Sequence, residues 1–219
     1  MRVAICTPCQ DTVDAGFAID LARLVAHVAA EGTMGFTLIQ NRGTIIPQQR
    51  ATLVEAARKA QATHLLWLDS DMRFPKDALH RLAAHGKPIV AANYPTRRPP
   101  ILPTAQHREM GHLFTPSGAT GLEEVTYAGM GVMLVDMAVF QAVPEPWFIV
   151  GYNAKGKEYI GEDCFFGTRA KEHGFPTLID QELSYEIKHV GSMEYRAEHA
   201  MQTRDIYAAM TDTPRLVLA

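Results

Sequence analysis

The chain has 219 residues, of which 47% are hydrophobic and 21% are charged, and its formal net charge is −3. The length suits a single domain that can bury a core, and the slightly acidic balance lacks the basic excess that nucleic-acid binding needs. No segment is long enough for a membrane span or a signal-peptide core, and three cysteines are typical of a reducing compartment. We therefore expect a cytoplasmic globular protein without a nucleic-acid partner or a transmembrane segment.

The first part of the chain alternates short apolar runs with amphipathic stretches. The predicted strands are 2–6, 36–40, 65–68 and 87–92, and the predicted helices are 14–28, 47–60 and 75–85. Strand and helix alternate in this way in doubly wound nucleotide-binding sheets. The sequence therefore predicts an α/β fold with a central, mostly parallel sheet flanked by helices.

The pattern changes after Asn93. Residues 94–121 are rich in proline and glycine, carry Arg97 and Arg98, and show no period, which predicts a long loop that is either a lid or a surface excursion. Later elements are predicted as strands at 123–127, 131–135, 177–179 and 185–188, helices after Asp136 and from Gly161 to Gly174, and a helical tail. We expect one domain over 1–219, with a nucleotide-binding half (1–92), an acceptor half (122–191) and the tail (192–219).

Two carboxylates follow the third predicted strand. Asp69 and Asp71 are spaced i, i+2, so in an extended chain both point the same way. Open α/β sheets place ligands at this end of their strands, and paired carboxylates suit a hard divalent cation that would hold a diphosphate. The alternative is that Asp71 only caps the turn before a helix near Pro75. This stretch alone favours neither interpretation.

Two further features carry titratable groups. Glu162 and Asp163 lie at the predicted start of a helix, whose N-terminal charge favours an ionised carboxylate that can act as a general base. His189 lies at the end of a predicted strand. Taken singly, ordinary first-turn acids and a hydrogen-bonded histidine are the favoured interpretations.

The order of these features carries a resemblance to a known family. The motifs stand as Asp69-Ser70-Asp71, Gly129-Met130-Gly131-Val132-Met133-Leu134-Val135-Asp136, Pro144-Glu145-Pro146-Trp147-Phe148, Gly161-Glu162-Asp163-Cys164-Phe165-Phe166 and His189-Val190-Gly191. In this order they resemble glycosyltransferases of the GT-A fold, most closely the family 2-like group, over roughly residues 1–191. The resemblance implies a metal-dependent, hexosyltransferase-type enzyme that moves a sugar from a nucleotide-diphosphate sugar to an acceptor hydroxyl.

The resemblance also implies roles for individual residues. Mn²⁺ or Mg²⁺ would be held by Asp71 directly and by His189, while Asp69 would contact the ribose or a metal-bound water. Asp163 would be the base of an inverting reaction, and Glu162 beside it would hold the acceptor or the base.

Further positions match the nucleotide site of such enzymes. Thr7 and Pro8 would cup the nucleoside base in the turn after the first strand, Ser70 would contact the nucleotide, and Asn41 and Arg50 would add contacts. A UDP- or GDP-sugar is the favoured donor, and the acceptor would be a carbohydrate or another hydroxyl compound.

Two alternatives remain. A sugar nucleotidyltransferase would carry a glycine-rich basic loop after its first strand, where this chain has Thr7-Pro8-Cys9-Gln10 and no glycine before Gly16. A non-catalytic nucleotide- or carbohydrate-binding module could keep the fold, although the joint presence of Asp69, Asp71, Asp163 and His189 favours activity.

Overall fold

A computed structural model describes residues 1–97, 99–107, 109–154, 156–191 and 194–212, so the predicted loop residue Arg98 lies outside the described residues. The helices are α1 (Ala15–Glu31), α2 (Ile46–Lys59), α3 (Ala78–Ala84), α4 (Met137–Ala142), α5 (Glu162–Glu172), α6 (Gln181–Glu186) and α7 (Ala197–Asp212). The strands are β1 (Arg2–Cys9), β2 (Gly35–Arg42), β3 (His64–Leu68), β4 (Met72–Arg73), β5 (Ile89–Ala91), β6 (Gln106–His107), β7 (Gly111–His112), β8 (Leu122–Val125), β9 (Val132–Asp136), β10 (Gly151–Asn153), β11 (Glu158–Ile160), β12 (Thr177–Asp180), β13 (Lys188–Val190) and β14 (Glu194–Tyr195).

A seven-stranded sheet forms the centre of the fold, in the order β2-β1-β3-β9-β5-β12-β8. β1 pairs in parallel with β2 and β3, and β12 pairs in parallel with β5. β9 runs antiparallel between β3 and β5, and β8 runs antiparallel to β12 at one edge. The sheet confirms the predicted α/β architecture, with a mostly parallel central sheet flanked by helices.

Both faces of the sheet are covered, which is why its strands are apolar without alternation. One buried cluster joins the sheet to α2, α4 and α5 through side chains such as Leu53, Phe140 and Phe166. The other joins it to α1 and α3 through Leu24 and Leu79. The site described below lies where the sheet's parallel strands end between these two layers.

Helix boundaries follow local capping chemistry. The Asp14 carboxylate accepts hydrogen bonds from the N–H groups of Gly16 and Phe17 at the start of α1, and Gly32, with φ 63°, ends that helix in the left-handed region. Asp136 caps α4 by accepting from Ala138 N, as the sequence predicts. The ends of these helices therefore come from single residues that the sequence displays.

Three predicted elements differ in the structure. The strand predicted at 185–188 is wrong, because the Asp180 carboxylate accepts from Leu183 N and so starts α6, and β13 begins only at Lys188. The predicted helix 75–85 is shorter and spans Ala78–Ala84. The segment 94–121, predicted as a loop, contains the paired short strands β6 and β7. The two strands predicted on either side of Gly129–Gly131 are confirmed, as β8 at the sheet edge and β9 in its centre.

The segment after β5 is anchored where the structure describes it. Thr96 N donates to Leu102 O at 2.8 Å and Thr104 N donates to Tyr94 O at 2.9 Å, so residues 102–104 run antiparallel beside residues 94–96. The buried Asn93 side chain donates to Leu113 O at 2.7 Å. Within the described residues, no helix is long and apolar enough to cross a membrane.

Candidate active site

The Asp69–Asp71 turn lies at the carboxyl end of β3, where the sequence predicts it. Asp69 N donates to Gly131 O at 3.0 Å, and Met72 N donates to Asp69 O at 3.1 Å, which closes the turn. The two side chains have different partners. Asp69 faces α2 and α5, whereas Asp71 faces β13 and the segment after β5.

A buried arginine joins Asp69 to Glu162. Arg50 has only 3% of its side chain exposed, and its Nη2 lies 3.1 Å from Asp69 Oδ1 while its Nε lies 3.0 Å from Glu162 Oε1. The guanidinium also stacks over the Trp67 ring, 5.3 Å from the centroid. Burial lowers the pKa of Arg50, but the two carboxylates outweigh it and the pKa is raised. The Arg50 guanidinium therefore stays charged inside the protein.

The sequence interpretation did not foresee this bridge, because it treated Arg50 as a nucleotide contact. A signal was present: Arg50 lies at i, i+3 and i+7 from Leu53 and Ala57, on the inward face of α2. An arginine on a buried face needs a carboxylate partner, since an unpaired buried charge is very costly. Its Nη1 is buried and has no hydrogen-bond partner among the described residues.

Burial raises the pKa of Asp69, and the positive charge of Arg50 opposes that rise without cancelling it. Asp69 keeps 26% of its side chain exposed, so the carboxylate is held by Arg50 on one side and is accessible to solvent on the other. This placement is compatible with the predicted contact to a ribose or a bound water.

Asp163 lies in the first turn of α5. Its Oδ1 accepts a hydrogen bond from Cys164 N at 2.7 Å, and a Cβ at Gly161 would lie 2.5 Å from that oxygen. Gly161 therefore leaves the space that lets the carboxylate fold back over the helix terminus. Burial first, and then the charge of Glu162, raise the pKa of Asp163. The result is a carboxylate more basic than a solvated one.

His189 is brought to Asp71 by strand pairing. β13 pairs with β4 so that His189 lies opposite Met72, and Val190 N donates to Asp71 O at 2.8 Å. The His189 Nε2 atom is then 3.6 Å from Asp71 Oδ1. The structure thus places together two residues that lie 118 positions apart in the chain, as follows from their numbers.

Asp71 also binds Arg97, whose Nη1 lies 2.8 Å from Asp71 Oδ2. Burial raises the pKa of Asp71, but the hydrogen bond and charge of His189 and the charge of Arg97 outweigh it, and the pKa is lowered. His189 Nδ1 lies 2.9 Å from Pro95 O. Because a carbonyl only accepts, Nδ1 carries a proton, and this hydrogen bond orients the ring so that Nε2 points towards Asp71.

The donor set around Asp71 fits a divalent cation in part. Among the residues that the structure describes, no group of three His, Cys, Asp or Glu side chains is arranged to hold a metal ion. Asp71 Oδ1 and His189 Nε2, however, are 3.6 Å apart, which suits two ligands at about 2.1 Å from one ion. The Nδ1 contact to Pro95 is the orientation that metal-binding histidines usually have. The remaining ligands would have to come from elsewhere, such as a diphosphate.

A cleft of about 630 Å³ lies beside Asp163 and the two partners of Asp71, although Asp69 and Asp71 themselves do not line it. Asp163 lines it together with Arg97, His189 and Tyr94. The Tyr94 hydroxyl accepts from Gly131 N at 2.9 Å. A Cβ at Gly129 or Gly131 would lie 2.4 or 2.7 Å from that hydroxyl, so both glycines make room for the ring. The Gly129–Gly131 turn is therefore packed against Tyr94.

The predicted base-binding residues lie elsewhere than expected. β1 continues to Cys9, so Thr7 and Pro8 are buried inside the strand and pair with Gln40 and Asn41 instead of forming the turn after it. The turn prediction for these residues is wrong, because parallel pairing with β2 extends the strand. The turn follows Cys9, beside a cavity of about 280 Å³ that Asp11 and Arg42 help to line.

Ser70 and Asn41 have structural partners on this side of the sheet. Ser70 O accepts from Asp14 N at 2.9 Å, which joins the Asp69–Asp71 turn to the start of α1. Asn41 O lies 3.3 Å from Gln49 Nε2. Their predicted contacts with a nucleotide stay predictions.

No family model matches the chain, and no curated protein matches it. Among solved structures, the crystal structure of A197 from STIV has a TM-score of 0.58 with 16% identity over 87% of this chain and 86% of that one. A candidate glucose-1-phosphate thymidylyltransferase from Bacillus anthracis, solved with sucrose, has a TM-score of 0.44 with 11% identity over 78% and 84% of the two chains. A glycosyltransferase involved in glycosylation of the major capsid of PBCV-1 has a TM-score of 0.33 with 18% identity over 67% and 69%. Of these three, A197 alone superposes well enough to show a shared fold, and at its identity it shows the fold alone.

Proposed function

We propose that this chain is a metal-dependent glycosyltransferase that moves a sugar from a nucleotide-diphosphate sugar to an acceptor hydroxyl. The observation that carries the proposal is the cleft lined by the half-buried carboxylate of Asp163 and by Arg97 and His189, the two partners of Asp71. Such a transfer needs a general base and a bound divalent cation that act on the same substrate cleft.

On the donor side, Asp71 and His189 would hold a divalent cation, Mn²⁺ or Mg²⁺. The nitrogen ligand favours Mn²⁺ over Mg²⁺. A bound cation would neutralise the negative charge that develops on the departing diphosphate. Asp69, held from behind by Arg50, would accept hydrogen bonds from a ribose or a bound water.

On the acceptor side, Asp163 would take the proton of the acceptor hydroxyl on its carboxylate. The acceptor oxygen forms a bond to the anomeric carbon from the face opposite the diphosphate, and the bond from that carbon to the diphosphate oxygen breaks with its electron pair leaving on the diphosphate. Attack from the opposite face inverts the anomeric configuration. Glu162, fixed by Arg50, would hold the acceptor beside Asp163.

The test is a thermal titration of the purified protein with UDP- and GDP-sugars, with and without Mn²⁺. A ligand that binds the folded state raises the melting temperature by mass action. We expect a rise with one nucleotide that requires Mn²⁺ and disappears in Asp71→Ala. Asp77→Ala is the matched control, because Asp77 makes no side-chain capping bond at α3. No rise with any sugar nucleotide would contradict the proposal.

A second readout separates the alternatives. A transferase releases a nucleoside diphosphate when an acceptor such as a sugar mixture is added, and Asp163→Asn should abolish that release. A nucleotidyltransferase would instead release pyrophosphate from a nucleoside triphosphate and a sugar phosphate. Binding without release of either product would favour the non-catalytic module.

A further inference from the structure

The Arg97 side chain forms an ion pair with one oxygen of Asp71, the carboxylate to which we assign the cation. Its Nη1 lies 2.8 Å from Asp71 Oδ2 and donates to Val190 O at 3.2 Å. The side chain passes over Gly191, where a Cβ would lie 3.2 Å from Arg97 Cδ. With 46% of its side chain exposed, Arg97 is open to the cleft on its other side.

The backbone beneath Arg97 is held firmly. The two hydrogen bonds that join Thr96 to Leu102 and Tyr94 to Thr104 fold the segment back on itself, and Pro95 O contacts His189 Nδ1. The Arg97 side chain, in contrast, has only Asp71 and Val190 as partners among the described residues. The Arg97 guanidinium therefore needs to leave only these two partners in order to turn towards the cleft.

Two positive groups compete for Asp71. A divalent ion between Asp71 Oδ1 and His189 Nε2 would lie beside the guanidinium on Oδ2, and like charges a few ångströms apart repel strongly in a partly buried site. A diphosphate would offer Arg97 a stronger partner, because guanidinium groups form paired, charge-assisted hydrogen bonds with phosphate oxygens.

We propose that Arg97 neutralises Asp71 in the free protein and moves to the donor diphosphate when the divalent cation binds Asp71. The inference rests on the proposed function and deepens it. It assigns to Arg97 the binding of the donor diphosphate, in addition to its pairing with Asp71 when no cation is bound. Asp71 then exchanges one cation for another and is never left unpaired, which would be costly for a carboxylate with 27% of its side chain exposed.

The first test measures Mn²⁺ affinity without nucleotide, by the loss of the free-ion signal in electron paramagnetic resonance. In Arg97→Gln we expect Mn²⁺ to bind about tenfold more tightly, which corresponds to about 1.4 kcal/mol. Arg97→Lys, which keeps the charge, should fall between the wild type and Arg97→Gln. Arg81→Gln removes a pair with Glu186 away from the cleft and should change nothing. Unchanged Mn²⁺ affinity in Arg97→Gln would overturn the proposal.

The second test adds inorganic pyrophosphate as a diphosphate probe. With Mn²⁺ saturating, pyrophosphate should raise the melting temperature of the wild type more than that of Arg97→Gln. The same substitution would then strengthen cation binding and weaken diphosphate binding, which a merely structural role of Arg97 would not produce. An equal gain from pyrophosphate in both proteins would overturn the transfer to the diphosphate.

Asp71→Ala separates this inference from the proposed function. If Mn²⁺ binding survives Asp71→Ala, the cation site itself is wrong and the proposed function loses its donor side. If Mn²⁺ binding disappears in Asp71→Ala but does not tighten in Arg97→Gln, the role of Arg97 alone is wrong. The melting temperature of each variant without ligand verifies folding, and Arg97→Lys serves as the second variant if Arg97→Gln unfolds.

Discussion

At the scale of single residues, Asp163, the base that we propose, lies in an environment that is unfavourable for a charged carboxylate. Its carboxylate is half-buried and lies beside Glu162, and burial first, then the charge of Glu162, raise its pKa. Because the folded-state pKa lies above the unfolded value, folding is opposed once the pH exceeds the unfolded value, and the cost is complete above the folded pKa. The ionised carboxylate at neutral pH therefore destabilises the protein that uses it.

We accordingly expect Asp163→Asn to lower turnover by at least about a hundredfold while raising the melting temperature at neutral pH. The amide keeps an oxygen for the Cys164 N–H and carries no charge. Turnover and thermal unfolding of the same preparation provide the measurement. A variant that is inactive and also less stable at neutral pH would contradict the environment described for Asp163.

The same residue predicts a pH dependence. A base must be ionised, so kcat/KM should fall as the pH is lowered through the raised pKa of Asp163, at a higher pH than an ordinary aspartate with a pKa of about 3.9 would give. A profile between about pH 4 and pH 8 measures this limb. An acid limb at the position of an unperturbed aspartate would exclude Asp163 as the base.

At the scale of elements, Arg50 connects α2 with the end of β3 and the start of α5. Arg50→Met would leave two partly buried carboxylates without their cation, and removing one partner of a buried pair costs about 3–5 kcal/mol. Arg50→Lys keeps the charge, but one ammonium cannot span both carboxylates as the guanidinium does, so an intermediate loss is expected.

Arg58→Met is the control on the same helix. Arg58 also lies over a tryptophan, Trp147, at 5.0 Å, but its ion pair with Glu55 is partly exposed and contributes about 1 kcal/mol or less. Chemical denaturation measures the free energy of unfolding of all three variants. Equal losses in Arg50→Met and Arg58→Met would show that the bridge contributes no more than an ordinary surface arginine.

Local chemistry determines which elements could be predicted. Asp69 and Asp71 stand two residues apart after an apolar run, and Asp14 caps α1 directly, so each is visible in a short window. Arg50 and Glu162 form an ion pair although they are 112 residues apart in the sequence, and no short sequence pattern predicts such a contact. The error at 185–188 has a local cause, since Tyr185-Glu186-Ile187-Lys188 alternates like a strand, whereas Asp180 caps a helix and Glu182 lies in its first turn.

At the scale of the whole molecule, the central sheet interleaves the two predicted halves. β9 comes from the second half and lies between β3 and β5 of the first. Strand order of this kind depends on pairing between distant segments, so the alternation of strands and helices predicted the sheet but not the place of β9 within it.

A fragment of residues 1–121 should therefore fail to fold. Without β9, β3 and β5 lose their shared neighbour, and their apolar side chains and backbone groups face water. Circular dichroism and denaturant unfolding of the fragment test this, with residues 1–212 as the control. A cooperative transition in the fragment would instead show that residues 1–121 fold as an independent unit.

The stacking of Arg50 on Trp67 has an optical consequence. The chain has two tryptophans, and Trp67 is fully buried beneath a guanidinium that also holds Asp69 and Glu162. Indole emission responds to nearby charge. A ligand that binds Asp69 or Glu162 would therefore change the electric field at the Trp67 ring. In a Trp147→Phe background, the fluorescence of Trp67 alone would follow events at the cleft in real time without an attached dye.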